Sequence, residues 1–232
     1  MLYLLLPLLS VIFGYVIATF FRPKSKKNLK LLLAFSGSFL LALTVSHLLP
    51  TVYEATHHVE ADGHVHGGIG FFIMFGIVFQ IVLEYFSQGA EHGHVHGHDT
   101  MHHIPWSLFI SLCLHALLEG MPVSQNNDLA WGIAIHHFPI AIILTTFFST
   151  SHLNKQSILL FMLTFAVMTP LGTVLSEKLP FIIHYQAEIT AFVIGILFHI
   201  SSTIIFETSE GHKFNLAKLS AIVLGIVLAY FM

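Results

Sequence analysis

Residues 115–139 read HALLEGMPVSQNNDLAWGIAIHHFP. Within an apolar setting this stretch carries His115, Glu119, His136 and His137. His115 and Glu119 are four apart, so on a helix they share a face. His136 and His137 stand just before Pro139. Imidazoles and a carboxylate within reach of one another suit a divalent transition metal. A ligating imidazole must be neutral, so acid should weaken such a site.

The bland alternative is a buried polar cluster that fastens two helices, and a single His–Glu pair would be adequate for that. Three histidines and a glutamate exceed the need. Pro122 is expected to free the carbonyl of Leu118, and Pro139 that of Ile135. Unpaired backbone at membrane depth is tolerated where it lines a cavity, as in the broken helices of transporters. The polar turn at 124–128 is about five residues, so the two flanking segments should be antiparallel neighbours. At 1.5 Å of rise per residue, the four side chains then fall within one to two helical turns of depth and can converge.

The segments that must position these residues read as membrane spans. The chain has 232 residues, 55% hydrophobic and 9% charged, and a mean hydropathy of +0.81. A soluble domain carries about a quarter charged residues. Apolar runs at 2–20, 31–49, 69–86, 104–123, 129–148, 157–175, 182–206 and 216–232 give eight expected spans in an all-α, single-domain membrane protein. The first is read as a retained span rather than a signal peptide, because no basic residues precede it and a basic run follows. Pro170 and Gly172 should interrupt the sixth span. The seventh is long enough to tilt. The only cysteine, Cys113, permits no intramolecular disulfide.

Charge sets the expected orientation. Residues 22–30 (RPKSKKNLK) hold five of the nine Lys/Arg residues, which makes that loop cytoplasmic by the positive-inside rule. Eight spans with both termini outside leave only Lys178 on the outer side.

Two loops are rich in histidine. The outer one, 51–68, holds His57, His58, His64 and His66. The inner one, 87–103, holds His92, His94, His96, His98, His102 and His103. The pentapeptide GHVHG occurs in both, at 63–67 and 93–97. Such tracts bury little apolar surface and bind zinc, nickel or copper loosely. The expectation is metal capture outside and metal acceptance inside. Three further residues are weaker candidates for a metal path. His47 closes the second span in HLLP (47–50). Glu188 and His199 are eleven apart in the seventh and share a face, so a structural polar pair is an equal alternative.

At this point the chain resembles the ZIP family of divalent-metal transporters over essentially its whole length. The residues that carry the resemblance are His115, Glu119-Gly120, His137-Phe138-Pro139, HLLP at 47–50 and Pro170-Leu171-Gly172. The resemblance implies a path among spans two, four, five and seven, metal held by spans four and five, and import toward the cytoplasm. Three positions depart from the family pattern: Ala116, Ile140 and Thr169 stand where oxygen-bearing ligands are usual. One ion rather than two is therefore expected in the membrane.

The expected function is a secondary carrier of a divalent metal, zinc first, with no catalytic residues and no resident cofactor. The alternative is an intramembrane zinc hydrolase with Glu119 as base. Partners are the metal ion and the lipid bilayer, with a homodimer admissible and no nucleic acid. The expected location is the plasma membrane.

Overall fold

The computed structural model describes residues 2–21, 26–57, 68–87, 105–151, 153–207 and 216–232. Those residues are almost wholly helical. The elements are α1 (Leu2–Phe21), α2 (Lys26–Leu43), α3 (Leu49–His57), α4 (Ile69–Ser87), α5 (Trp106–Gly120), α6 (Asn127–Thr150), α7 (Lys155–Lys178), α8 (Pro180–His184), α9 (Gln186–Glu207) and α10 (Leu216–Tyr230). Seven helical stretches are long and apolar enough to cross a membrane, with α2 and α3 counting as one through residues 27–54. The apolar α10 is shorter, at 15 residues.

Local chemistry sets several boundaries. The Asn126 side chain accepts from the Asp128 N–H at the start of α6, and Asn154 does the same for Gln156 at the start of α7. Both are N-caps that satisfy an otherwise orphaned donor. Between α2 and α3 the helix widens into a π turn, Thr44–Leu48, in which the Leu49 N–H returns to the Thr44 carbonyl. The widening falls just before Pro50, which has no N–H to continue the ladder.

Small residues let the backbones approach. A Cβ on Gly172 would run into the Leu117 carbonyl, and one on Gly120 into that of Thr169, so α5 and α7 touch backbone to backbone. Gly76 and Gly195 do the same for α4 and α9, and Gly225 for α10 against α2. This is how membrane helices associate when apolar side chains gain nothing over lipid.

The contact order along these pairs gives helix direction. Ser10 donates to the Ala134 carbonyl and Gly14 meets Ala141, so α1 and α6 run parallel. Phe109 packs on Phe161 with ring centroids 5.0 Å apart and Gly120 meets Thr169, so α5 and α7 are parallel too. Gly225 lies on Phe35 and Ser38, while Ala229 clusters with Phe39 and Leu43, so α10 follows α2. Helix α6 is the most enclosed: 72% of its membrane-length stretch is buried, against 22% for α1 and for α4.

Several expectations are corrected. The sixth span is not interrupted, because α7 runs unbroken through Pro170 and Gly172; the glycine serves close packing instead. Likewise α6 runs unbroken through Pro139. The seventh is not one long span. It divides at Tyr185 (φ −102°, ψ 30°) into α8 and α9. The second is longer than expected, since helix continues past Pro50 to His57.

Candidate metal centre

The two helices that carry the site meet through their side chains rather than through close backbone contact. Helix α5 ends at Gly120 and passes through a 3-10 turn, Met121–Ser124, into the short link to α6. From there α5 lies against α7, and α6 lies against α1 and α2. The expected antiparallel neighbours thus face each other, while each has its main backbone contact elsewhere. Polar side chains bridge the space between them, with apolar ones on either side of the polar group.

His115, Glu119, His136 and His137 are each at most 1% exposed. His115 Nε2 lies 2.9 Å from Glu119 Oε1. His137 Nε2 lies 3.0 Å from the other carboxylate oxygen, Oε2. An ionised carboxylate only accepts hydrogen bonds, so against an ionised Glu119 this contact takes the His137 tautomer with its proton on Nε2. The His136 ring stands edge-on to that of His115, with centroids 6.5 Å apart. His137 packs on Phe165 of α7 at 5.1 Å.

One ligand atom from each of His115, Glu119 and His136 lies within 4.8 Å of the others. Zinc bonds of about 2.0–2.1 Å in tetrahedral array separate neighbouring ligand atoms by roughly 3.3 Å. The three side chains are thus within small rotations of holding one ion. His137 stands behind them, on the far oxygen of the carboxylate. A histidine in that place fixes the carboxylate's orientation, as outer partners of metal ligands do.

Apolar clusters flank the site on both helices. Toward the start of α5 and the end of α6, Leu112, Ala116, Ile140 and Leu144 join Phe161 and Phe165 of α7 and Ile196 and Ile200 of α9. Toward the α5–α6 link, Val123, Leu129 and Ile133 join Leu40, Leu48 and Leu197. The four polar residues sit at the seam, and the arrangement closes them off on both sides.

The expected free carbonyl at Leu118 is not free. It accepts from the Met121 N–H, because the 3-10 turn shifts the bonding by one residue ahead of Pro122. His47 lies half-buried on the π turn and is not part of the His115–Glu119–His136 group. Glu188, half-buried in the first turn of α9, is not part of it either. His199 bonds to Glu84 of α4, Nε2 to Oε2 at 2.6 Å, which is not the Glu188 partnership the spacing suggested. Nothing in the sequence links residues 84 and 199; the pair emerges only when Gly76 and Gly195 bring α4 and α9 together. His57 ends α3. His58, His64, His66, His92, His94, His96, His98, His102 and His103 lie outside the described residues.

No family model matches this chain, and no curated protein matches its sequence.

Proposed function

We propose that this protein is a ZIP-like carrier that moves a divalent transition metal, zinc first, through the membrane toward the cytoplasm. The observation that carries the reading is the group His115, Glu119 and His136, fully buried, with ligand atoms within 4.8 Å of one another. Polar groups at such depth in a membrane bundle are costly unless they serve a path or a bound ion. The thiolate-free, imidazole-rich set favours zinc among first-row metals without excluding its neighbours.

The proposed topology has eight spans, both termini outside, and the 22–30 segment in the cytoplasm. Supporting it, α10 runs parallel to α2, as an eighth span must if the second leaves the cytoplasmic side. The ion enters from outside and exchanges water for the side chains of Glu119, His115 and His136. It leaves inward when the apolar cluster of Leu112, Ile140 and Phe165 parts. Alternating opening of two apolar seals around one fixed site is the general scheme of secondary carriers.

The test is zinc uptake by proteoliposomes holding purified protein, read with a trapped fluorescent chelator. Wild type should accumulate zinc. Glu119→Gln should insert normally and lose uptake. A Glu119→Gln protein transporting at the wild-type rate would sink the assignment, and metal-dependent hydrolysis of lipid or peptide by pure wild type would replace it.

A further inference from the structure

A threonine within a helix commonly turns its hydroxyl back to the carbonyl four residues earlier. Thr164, Thr173, Thr190 and Thr203 all do so here. Thr169 of α7 does not. It is 1% exposed, and its Oγ1 has no hydrogen-bond partner among the described residues. A buried hydroxyl left unbonded is costly, so its surroundings should hold a group that can use it.

That group is on α6. His137 presents Nε2 to Glu119. Its other ring nitrogen, Nδ1, is buried and likewise has no partner among the described residues. With Nε2 protonated against an ionised carboxylate, Nδ1 is an acceptor, and a hydroxyl can donate to it. The two are tied to one face of α7. The His137 ring packs on Phe165, with centroids 5.1 Å apart, and Thr169 follows Phe165 by four residues, one helical turn on the same face. The Thr169 backbone also seats Gly120, the neighbour of Glu119. Glu119, His137 and Thr169 are thus gathered around a single turn of α7. Thr145 and Thr146 have unbonded buried hydroxyls as well. They lie eight and nine residues past His137 on its own helix, about 12 Å or more along the axis, and so do not compete for its ring.

We infer that Thr169 is a positioning residue of the metal centre, whose hydroxyl donates to Nδ1 of His137. The inference rests on the carrier reading. The bond completes a chain from Thr169 through His137 to the far oxygen of Glu119, and leaves the near oxygen for the ion. It fixes His137 in the tautomer that donates to the carboxylate and holds the ring in place, as outer partners of metal ligands do. Thr169 adds no charge and does not touch the ion. The bond forms by side-chain movement alone: a step between staggered χ1 wells of Thr169 and a turn of the ring.

The experiment is zinc uptake by proteoliposomes holding the full chain, measured over a range of outside zinc concentrations. It compares wild type, Thr169→Val, Thr169→Ser, His137→Ala and the Thr169→Val/His137→Ala double variant. Valine keeps the shape and removes the hydroxyl; serine keeps the hydroxyl and removes the methyl. Thr169→Val should raise the zinc concentration for half-maximal uptake about tenfold, the lower end of the loss when an outer partner of a metal ligand goes. Thr169→Ser should stay close to wild type. In the double variant, valine should add nothing to the loss caused by His137→Ala, because Thr169 acts through that ring. Wild-type behaviour of Thr169→Val overturns the assignment. So does a serine variant weaker than the valine one, the mark of a side chain that only fills space. A full additional loss in the double variant overturns it too, since Thr169 then acts elsewhere. A wild type that takes up no zinc removes the carrier reading and the positioning role with it; a transporting wild type beside an unimpaired valine variant removes the positioning role alone.

Discussion

At the residue scale the question is which of four buried side chains would hold the ion of the proposed carrier. His137 matches the family-like motif before Pro139, yet its Nε2 is engaged with the far oxygen of Glu119. His136, one residue earlier, shares the tight group with His115 and Glu119. Three neutral imidazoles and one carboxylate leave a divalent ion with one positive charge uncompensated. Ala116 and Ile140 do not relieve it, since both lie in the apolar cluster with Leu112 and Leu144. Thr169, also buried, offers a hydroxyl that has no hydrogen-bond partner among the described residues, and a hydroxyl brings no charge. A second ion would add two more positive charges with no further carboxylate in the group to offset them. The geometry predicts unequal effects of removing the two histidines. His137→Ala should raise the zinc concentration for half-maximal uptake by about 10–100-fold, the usual loss when an outer partner goes. His136→Ala removes a direct ligand and should cost more than that. Equal losses would make both direct ligands.

At the element scale, α7 rather than α6 is the nearest support of α5. Gly120 follows Glu119 directly, and it is seated on the Thr169 carbonyl, while the Thr173 hydroxyl donates to the Gly120 carbonyl at 2.8 Å. The carboxylate is therefore aimed by the α5–α7 contact. Gly172→Leu would drive a side chain into the Leu117 carbonyl and part the helices. Overpacking of this kind costs about 1–3 kcal/mol, and uptake should fall with it because Glu119 moves. Gly70→Ala is the control: a Cβ there meets nothing within 4 Å, and stability should stay within about 0.5 kcal/mol. Thermal melts of purified protein in detergent measure both.

Some of this was legible in the sequence and some was not. The 115/119 pair was, because four residues is a helical period and the apolar surroundings made the polar side chains conspicuous. The role of Gly172 was misread as a break, since Pro170 two residues before it suggested one. A membrane helix can carry proline without ending, because neighbouring groups satisfy the freed carbonyl. That the closest backbone contact of α5 is with α7 was hidden for a different reason. A short link fixes where two helices begin, whereas the partner each one packs on is set by distant glycines and serines such as Ser10 on Ala134. The Glu84–His199 bond was hidden in the same way, across 115 residues of chain.

At the scale of the whole molecule, the open matter is α10. Fifteen helical residues span about 22 Å at 1.5 Å each, short of the roughly 30 Å hydrocarbon core. Yet the helix is apolar, exposes Leu219, Val223 and Leu224 on one side, and packs Gly225 into α2 on another. Near its start, Lys218 is buried and its ammonium donates to the Ile205 carbonyl at 2.6 Å. That bond anchors α10 where α9 ends, so α10 sets out from the same end of the bundle that α9 reaches. Since α10 then parallels α2, its last residues lie at the opposite end, with Leu43. Local thinning of the bilayer accommodates a short span at modest cost. Cys113 is the only cysteine and is buried, so a Cys113→Ala background gives a clean test with single exposed cysteines. On intact cells an impermeant maleimide should label Lys178→Cys and Phe231→Cys, and should reach Lys155→Cys only after permeabilisation. If Phe231→Cys behaves like Lys155→Cys, then α10 returns to the cytoplasmic side, the chain has seven spans, and the charge asymmetry that orients it has to be explained without an eighth.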